Sequence, residues 1–110
     1  RPLVHVSLTR EKPFFDEQVA MLLQLVEETR SVRLACSRMQ ISYSTARNML
    51  NTAVNPLGYP LLLRNKGGPS GTGTLLTEKG QELLSAYAQF ESAAKENMEK
   101  LYDSYLRDIL

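Results

Sequence analysis

Short hydrogen-bonding side chains dominate one face of a predicted helix over residues 42–55. The face carries one arginine and no carboxylate, and its members are Ser44, Thr45, Arg47, Asn48, Asn51 and Thr52. A solvated helix face usually mixes Glu with Lys, whereas hydroxyl, amide and guanidinium groups match the donors and acceptors on base edges. This composition favours recognition by hydrogen bonding over acid–base chemistry. An ordinary solvated polar face is the alternative interpretation.

The stretch between Glu28 and Glu78 is cationic and contains no acidic residue. Its positive residues are Arg30, Arg33, Arg38, Arg47, Arg64 and Lys66. Residues 78–110 have the opposite sign, with four basic and seven acidic residues and hence a local net charge of 4 − 7 = −3. The formal net charge of +1 therefore conceals a dipolar molecule. A cationic, acid-free segment suits contact with a phosphate backbone, although exposed cations are also common on simple solvated surfaces.

Composition argues against several classes of function. One His, one Cys and no paired carboxylates in an apolar setting leave no acid–base, nucleophilic or metal-binding constellation, so we expect neither an enzyme nor a cofactor. The single Cys36 suits a reducing cytoplasm, and its apolar neighbours predict a buried thiol. No apolar run approaches membrane-spanning length and no secretory signal is visible, so we expect a cytoplasmic protein without a membrane partner. The 110 residues suffice for one domain.

The N-terminal half of the chain shows a strand pattern followed by a helix pattern. Leu3 to Leu8 alternates apolar and polar residues, which predicts a half-buried strand with His5 on its polar side. The pattern breaks over residues 9–13, and we expect Phe14 and Phe15 to anchor the chain in the core. A helix should begin after Asp16 as its cap and end near Thr29.

Two further helices joined by a tight turn are expected next. Ser31 caps a short helix that runs to about Gln40, with an inner face made of Leu34 or Ala35, together with Cys36 and Met39. Ser42 caps the third helix, whose spacing predicts four buried residues: Ala46, Met49, Leu50 and Ala53. Asn55, Pro56 and Gly58 should end it. Two short helices around a tight polar turn are typical of a helix-turn-helix.

A glycine-rich segment follows the third helix. Leu61 to Arg64 and Thr74 to Leu76 read as short strands, so the residues between them predict the tip of a β-hairpin. Backbone N–H groups at Gly67 and Gly68 could approach phosphates closely, with Lys66 beside them. A nucleotide-binding loop is the competing interpretation, but the glycine spacing fits neither a P-loop nor GxGxxG.

The last part of the chain predicts one long helix, from a cap at Thr77 to about Leu106. An apolar stripe persists along it at three- and four-residue steps: Leu84, Tyr87, Phe90, Ala94, Met98, Leu101 and Tyr105. A core of this size cannot cover so long a stripe, so Phe90, Ala94, Met98, Leu101 and Tyr105 are expected to form a homodimer interface. A helix that folds back on its own domain is the alternative.

Four motifs follow one another along most of the chain. They are AC-x-x-M-x-x-SYS-x-A at residues 35–46, LG-x-PLL-x-R at 57–64, GG-x-x-G-x-G at 67–73 and LT-x-x-G-x-x-LL at 76–84. In this order they resemble the N-terminal winged helix-turn-helix domain of ModE-type, molybdate-dependent transcriptional regulators, and more distantly the DNA-binding half of LysR-type regulators. Arg47 stands where the family usually has Trp, and Arg30 where a glycine commonly precedes the serine of the second helix.

The resemblance implies a mainly α fold with a β-hairpin wing: a winged helix-turn-helix over residues 1–77 and a dimerisation helix over 78–110. It implies a transcriptional regulator that binds double-stranded DNA. Together with the homodimer expected from the apolar stripe, this predicts a palindromic operator. No counterpart of the family's molybdate-binding domain is seen in these residues. A winged-helix dimerisation or protein-interaction module that does not bind DNA is the alternative.

Specific roles follow for the residues of the motifs. Ser44, Thr45, Arg47 and Asn48 are expected to read bases, while Ser42 serves mainly as a cap and Tyr43 packs or touches a phosphate. The residues expected to position the DNA backbone are Arg33, Arg38, Arg64, Lys66, Gly67 and Gly68.

Overall fold

The chain folds as a mainly α winged helix-turn-helix. The computed structural model describes residues 2–64 and 73–110. Within those ranges, two antiparallel hairpins accompany four helices. In chain order the elements are β1 (Leu8–Arg10), β2 (Lys12–Phe15), α1 (Glu17–Thr29), α2 (Val32–Met39), α3 (Tyr43–Leu57), β3 (Leu62–Arg64), β4 (Thr74–Leu76) and α4 (Glu78–Tyr105).

Each helix begins at a side-chain oxygen that the sequence predicted as its cap. The caps are Asp16, Ser31, Ser42 and Thr77. Their oxygens accept from backbone N–H groups two or three residues further on, at 3.0 to 3.1 Å. A cap of this kind stabilises its helix by about 1 kcal/mol, because it satisfies an otherwise unpaired donor. The four predicted starts are therefore confirmed.

The turn between α1 and α2 is fixed by a left-handed residue. Arg30 has a φ of 62°, and its N–H donates to the carbonyl of Val26 at 2.7 Å. Its own carbonyl accepts from the N–H of Thr74 at 2.9 Å, which joins this turn to β4. A side chain on Gly73 would collide with the same carbonyl oxygen. The left-handed conformation of Arg30 is one that glycine adopts without strain, so a glycine would fit at this position before Ser31.

Helix α3 runs further than the sequence predicted. It passes through Asn55 and Pro56, which were expected to end it, and stops at Leu57. Gly58 closes it in the left-handed conformation, with its N–H donating to the carbonyl of Val54 at 2.9 Å. The carbonyl of Pro56 accepts from the side chain of Arg10 at 2.7 Å. This hydrogen bond to β1 satisfies one acceptor of the last turn, where intrahelical donors have run out.

Two buried clusters on either side of α1 form the core. The first contains Phe14, Phe15, Val19, Leu23, Ala53, Leu61, Leu76, Leu84 and Tyr87. The second contains Leu22, Val26, Val32, Ala35, Cys36 and Ala46. The half-buried Met49 and Leu50 of α3 pack against both clusters. Burial of the two phenylalanines and of the Cys36 thiol is thus confirmed, and the inner face of α2 uses Ala35, because Leu34 is exposed.

The predicted N-terminal strand is wrong in position. The hairpin of β1 and β2 lies mostly in residues 9–13, where the alternating pattern was expected to break, and Glu11 turns the chain with a φ of 62°. Val4, Val6 and Leu8 are nevertheless half-buried, while His5 and Ser7 are exposed. Alternation reports which side of an extended segment faces the protein, and it does not require that the segment pair with another strand.

The second hairpin is the predicted wing. Its strands pair as Leu62 with Leu76, Leu63 with Leu75 and Arg64 with Thr74. The glycine-rich tip at residues 65–72, including Lys66, Gly67 and Gly68, lies outside the described residues. Strand β4 leads directly into Thr77, whose N–H donates to the carbonyl of Leu61 at 2.9 Å and whose hydroxyl donates to the carbonyl of Pro60 at 2.8 Å. The wing and α4 therefore meet at one joint.

Gly80 allows α4 to approach that joint closely. A Cβ atom at this position would lie 2.6 Å from the carbonyl oxygen of Leu61. Such a distance is far inside van der Waals contact, and the oxygen belongs to backbone that is already hydrogen-bonded to Thr77. The glycine of the LT-x-x-G motif is thus required by packing between α4 and the chain before β3.

Helix α4 is 28 residues long, about 42 Å at 1.5 Å per residue. Only its first part is buried, at Gly80, Leu84 and Tyr87. Further along, acidic residues precede basic ones by four positions in the pairs Glu91–Lys95, Glu96–Lys100 and Asp103–Arg107. Pairs in this orientation each stabilise an exposed helix by roughly 0.3–0.5 kcal/mol. None of the described helices combines the length and the apolar content needed to cross a bilayer.

Tyr87 joins α4 to the N-terminal segment. Its hydroxyl donates to the carbonyl of Val6 at 2.7 Å, and its ring meets the edge of Phe15 at a centroid distance of 5.0 Å. Burial, reinforced by the negative charges of Glu91, Glu17 and Asp16, raises the pKa of Tyr87 from 10.0 to about 12. The folded state therefore favours the neutral phenol.

This raised pKa predicts a loss of stability in strong alkali. The contribution of Tyr87 is fully present below pH 10 and is lost as the pH rises through about 12. Tyr87→Phe should remove this dependence, and it should lower the free energy of unfolding near neutral pH by about 1 kcal/mol because the hydrogen bond to Val6 is lost. Ultraviolet titration of tyrosinate should show a transition near pH 12 that Tyr87→Phe removes. Tyr105→Phe, at an exposed position, should leave that transition in place; its disappearance there would contradict the assignment.

Candidate nucleic-acid interface

The α3 outer face, defined as Ser44, Thr45, Arg47, Asn48, Asn51 and Thr52, is exposed along its whole length. The opposite side of the helix is fixed in the core by Ala46 and Ala53, both fully buried. Because both sides are set by the same helical period, the polar residues cannot turn inward without exposing the core side chains. The structure therefore brings the four predicted base-reading residues onto one solvent-facing surface.

The side chains of this face differ in how far they are already engaged. Ser42 accepts from the N–H of Thr45 at 3.1 Å and donates its hydroxyl proton to Oγ1 of Thr45 at 2.9 Å, so both residues serve the start of the helix. Within residues 2–64 and 73–110, the side chains of Ser44, Arg47 and Asn48 make no hydrogen bond or ion pair. Their donors and acceptors are available to an external partner.

Two arginines from different elements converge on Tyr43 at the start of α3. The guanidinium carbon of Arg33, in α2, lies 4.8 Å from the centre of the Tyr43 ring. Arg64, in β3, donates from Nη2 to the Tyr43 hydroxyl at 2.7 Å. The tyrosine is half-buried and its ring packs against the core cluster that contains Ala46. We call Arg33, Tyr43 and Arg64 the tyrosine junction, since it links α2, α3 and the wing.

Arg38 lies in a different setting from these two arginines. Its Nη1 is 4.0 Å from Oε2 of Glu28, and both side chains are more than half exposed. An exposed pair at this distance contributes little to stability, but the carboxylate offsets the charge of the arginine. Arg38 is therefore separate from the tyrosine junction, whereas Arg33 and Arg64 were brought together by the fold. The predicted contacts at Lys66, Gly67 and Gly68 lie outside the described residues.

Three bacterial proteins are similar to this chain over most of its length. The transcriptional regulator ModE of Haemophilus influenzae is 31% identical over 90 residues, which are 82% of this chain and 35% of that protein. The molybdenum transport protein ModE of Azotobacter vinelandii is 30% identical over 80 residues, 73% of this chain and 30% of that protein. The molybdenum-pterin-binding protein MopB of Rhodobacter capsulatus is 33% identical over 76 residues, which are 69% of this chain and 28% of that protein. No protein-family model matches the chain.

These alignments agree with the order of motifs and with the winged fold. The chain is a ModE-type regulator domain. It spans about a third of the length of each relative. None of the three bears an enzyme's name, which at the level of the family supports a protein without catalytic activity. Among the described residues of this ModE-type domain, no group of three or more His, Cys, Asp or Glu side chains could hold a metal ion.

The ModE-type domain also has a shallow concavity beside the α3 outer face, which the sequence did not predict. Its floor is apolar and includes Phe14, Phe15 and Met49, and its rim includes Thr45 and Asn48. The two phenylalanines were expected to anchor the core, which they do, but their contact with α3 joins segments more than thirty residues apart. Periodicity within one helix carries no information about such a distant neighbour.

The apolar stripe of α4 continues beyond the core of this ModE-type domain. Phe90 is 59% exposed, Leu101 43% and Tyr105 74%. Met98 is exposed as well, and Ala94 is half-buried. The five residues lie on one side of an unbroken helix at spacings of three and four. The structure thus leaves the predicted dimer surface accessible, and its role stays a prediction.

Proposed function

We propose that this chain binds double-stranded DNA in a sequence-specific manner and regulates transcription as a homodimer in the cytoplasm. The observation that carries the proposal is the α3 outer face, which is exposed, free of carboxylates and flanked by Arg33 and Arg64. A surface of this kind is suited to the acceptors and donors of the major groove, which is wide enough to admit one α-helix. The names of the relatives support the same class of function.

In the proposed complex, the first turns of α3 enter the major groove. Ser44, Thr45, Arg47 and Asn48 contact base edges, and Arg33, Arg38 and Arg64 lie along the backbone on the same side. Ser42 acts as the helix cap. Lys66, Gly67 and Gly68, which belong to the wing by their place in the sequence, contribute further contacts to the DNA backbone. Contacts to bases give specificity, and contacts to phosphates fix the orientation of the helix.

The dimer follows from the exposed stripe of α4. Two copies that pack Phe90, Ala94, Met98, Leu101 and Tyr105 against each other are related by a two-fold axis. A two-fold dimer presents two α3 helices to DNA, so the operator is proposed to be palindromic, with its half-sites about one helical turn apart or a multiple of it. The molybdenum in the names of two relatives belongs to proteins of which the aligned part is only 30% and 28%, and the proposal does not include it for this chain.

Selection of bound duplexes from a random pool, followed by fluorescence anisotropy at several salt concentrations, tests the proposal. We expect a symmetric enriched sequence and an affinity well above that for unrelated DNA. If no duplex binds at low salt, the proposal fails and a protein-interaction module that does not bind DNA becomes the better account. In that case the exposed stripe of α4 is the surface to which a protein partner would bind.

Arg47→Ala distinguishes base contact from backbone contact on the α3 outer face. If Arg47 reads a guanine, the substitution should cost about 1–3 kcal/mol of binding free energy and relax the preference at one base pair. A phosphate contact would instead weaken binding to all sequences about equally and reduce the salt slope by roughly one unit. Arg107→Ala, which removes an exposed arginine near the end of the chain, is the matched control. Wild-type affinity of Arg47→Ala for every duplex would exclude both roles.

A further inference from the structure

The tyrosine junction places two positive charges against one ring, and no carboxylate of the described residues pairs with either charge. Arg33 stacks on the face of Tyr43 at 4.8 Å, and Arg64 contacts its hydroxyl at 2.7 Å. We propose that Arg33, Tyr43 and Arg64 form one preformed site for a single phosphate of the DNA backbone, in which the Tyr43 hydroxyl donates a hydrogen bond to the phosphate. This inference rests on the proposed function, and it assigns to Tyr43 a positioning role rather than one in packing alone.

The direction of the hydrogen bond at Tyr43 is the first argument. Arginine has donors and no acceptor, so in the Arg64–Tyr43 contact the hydroxyl oxygen must accept. The hydroxyl proton is therefore available to a second partner. Among the residues that the structure describes, no acceptor takes it. A half-buried phenol whose oxygen is already occupied by a cation is a polarised donor, which favours an anionic acceptor.

The charges around the junction are the second argument. The same shallow depression is lined by Arg30, Ser31 and Thr74 in addition to the junction itself. The whole stretch from Thr29 to Thr77 contains no acidic residue. In the described ranges neither Arg33 nor Arg64 has a carboxylate within ion-pair distance, in contrast to Arg38, which faces Glu28. Adjacent guanidinium groups repel each other, so an anion from outside the chain would lower the energy of the arrangement.

The position of the site supports a phosphate of DNA as that anion. Tyr43 is the first residue of α3 and immediately precedes Ser44, the first residue of the proposed base-reading surface. Arg64 belongs to β3, so the same contact ties the wing to this helix. A phosphate held here would fix the start of α3 relative to the groove, which is the function of backbone contacts in protein–DNA recognition. A free phosphate ion shares this chemistry, and the experiment below separates the two sources.

Tyr43→Phe tests the site, because it keeps the ring that packs on the core and removes only the hydroxyl. With the selected duplex, we expect an affinity about tenfold lower and an unchanged salt slope, since the lost donor is neutral. The melting temperature should fall only slightly, because the lost hydrogen bond to Arg64 is exposed. Arg64→Ala should lower the salt slope by roughly one unit. The double variant should lose less than the product of the two single effects, because the residues act on one phosphate.

A matched control is available in Tyr59, which also lies beneath a cation: the Nζ of Lys79 is 5.0 Å from the centre of its ring. Tyr59→Phe should bind DNA as the wild type does. If the wild type binds DNA and Tyr43→Phe binds equally well, the inference is overturned while the proposed function stands. If the wild type binds no duplex, both are overturned.

Inorganic phosphate alone, titrated at constant ionic strength, should not saturate the site at millimolar concentration. Saturation without any effect of Tyr43→Phe on DNA binding would assign the site to a free anion and overturn the proposal.

Discussion

Leu101→Asp is expected to convert a dimer into a monomer and to lower affinity for a palindromic operator by about 10²- to 10⁴-fold. The effect is large because the two α3 helices of a dimer are linked, so that binding of the first half-site raises the effective concentration of the second helix at the other half-site. A monomer binds a single half-site. An aspartate at this position would bring a charge, together with its symmetry mate, into an apolar interface without a partner. Light scattering gives the mass, and anisotropy with whole and half operators gives the affinities.

The control for this substitution lies on the other side of the same helix. Ser92→Asp adds the same charge at an exposed position of α4 that is outside the apolar stripe, and it should leave both mass and affinity unchanged. A stable interface of standard size should be occupied at about 10 µM. An intact chain that is strictly monomeric at that concentration, or a Leu101→Asp variant that remains dimeric, would contradict the proposed interface.

Gly80→Ala should destabilise the fold by about 2 kcal/mol, although alanine is the better helix former. The new Cβ would lie 2.6 Å from the carbonyl oxygen of Leu61, so α4 must move away and weaken the hydrogen bonds of Thr77 to Leu61 and Pro60. Overpacking of this kind typically costs 1–3 kcal/mol or more, whereas the gain in helix propensity is at most about 1 kcal/mol.

Urea denaturation of both the variant and a matched substitution measures this cost. Gln81→Ala, at the next position and exposed, changes a side chain of the same helix without approaching Leu61, so its free energy of unfolding should stay within about 0.5 kcal/mol of the wild type. A Gly80→Ala variant as stable as the wild type would show that α4 does not need its close approach to the chain before β3.

Features encoded within a few residues were predicted well from the sequence. The four caps each depend on an oxygen two or three positions from the N–H that it accepts from, and the faces of α1 and α3 follow from helical spacing. The end of α3 was predicted two residues too early, because the residues there favour termination while the hydrogen bond from Arg10 to the carbonyl of Pro56 supports the last residues of the helix. A local rule was overridden by a contact with β1.

Contacts between distant segments could not be predicted in the same way. The bond from Arg64 to Tyr43 spans 21 positions, and that from Tyr87 to Val6 spans 81. The charge pattern identified Arg33, Arg38 and Arg64 as equivalent cations, yet two of them converge on a tyrosine and the third faces Glu28. Only the folded arrangement of α2, α3 and β3 distinguishes them, because sequence spacing defines neighbours within an element and not between elements.

The unbroken course of α4 sets a rotational phase between the two ends of the molecule. From the joint at Thr77 to Tyr105 it contains no break, so the direction of the exposed stripe relative to α3 is fixed by the number of residues in between. Inserting a single residue between Tyr87 and Phe90 would advance the distal stripe by about 1.5 Å and turn it by about 100° around the helix axis. Insertions and deletions in this short interval would therefore be tolerated far less readily than substitutions at its exposed positions.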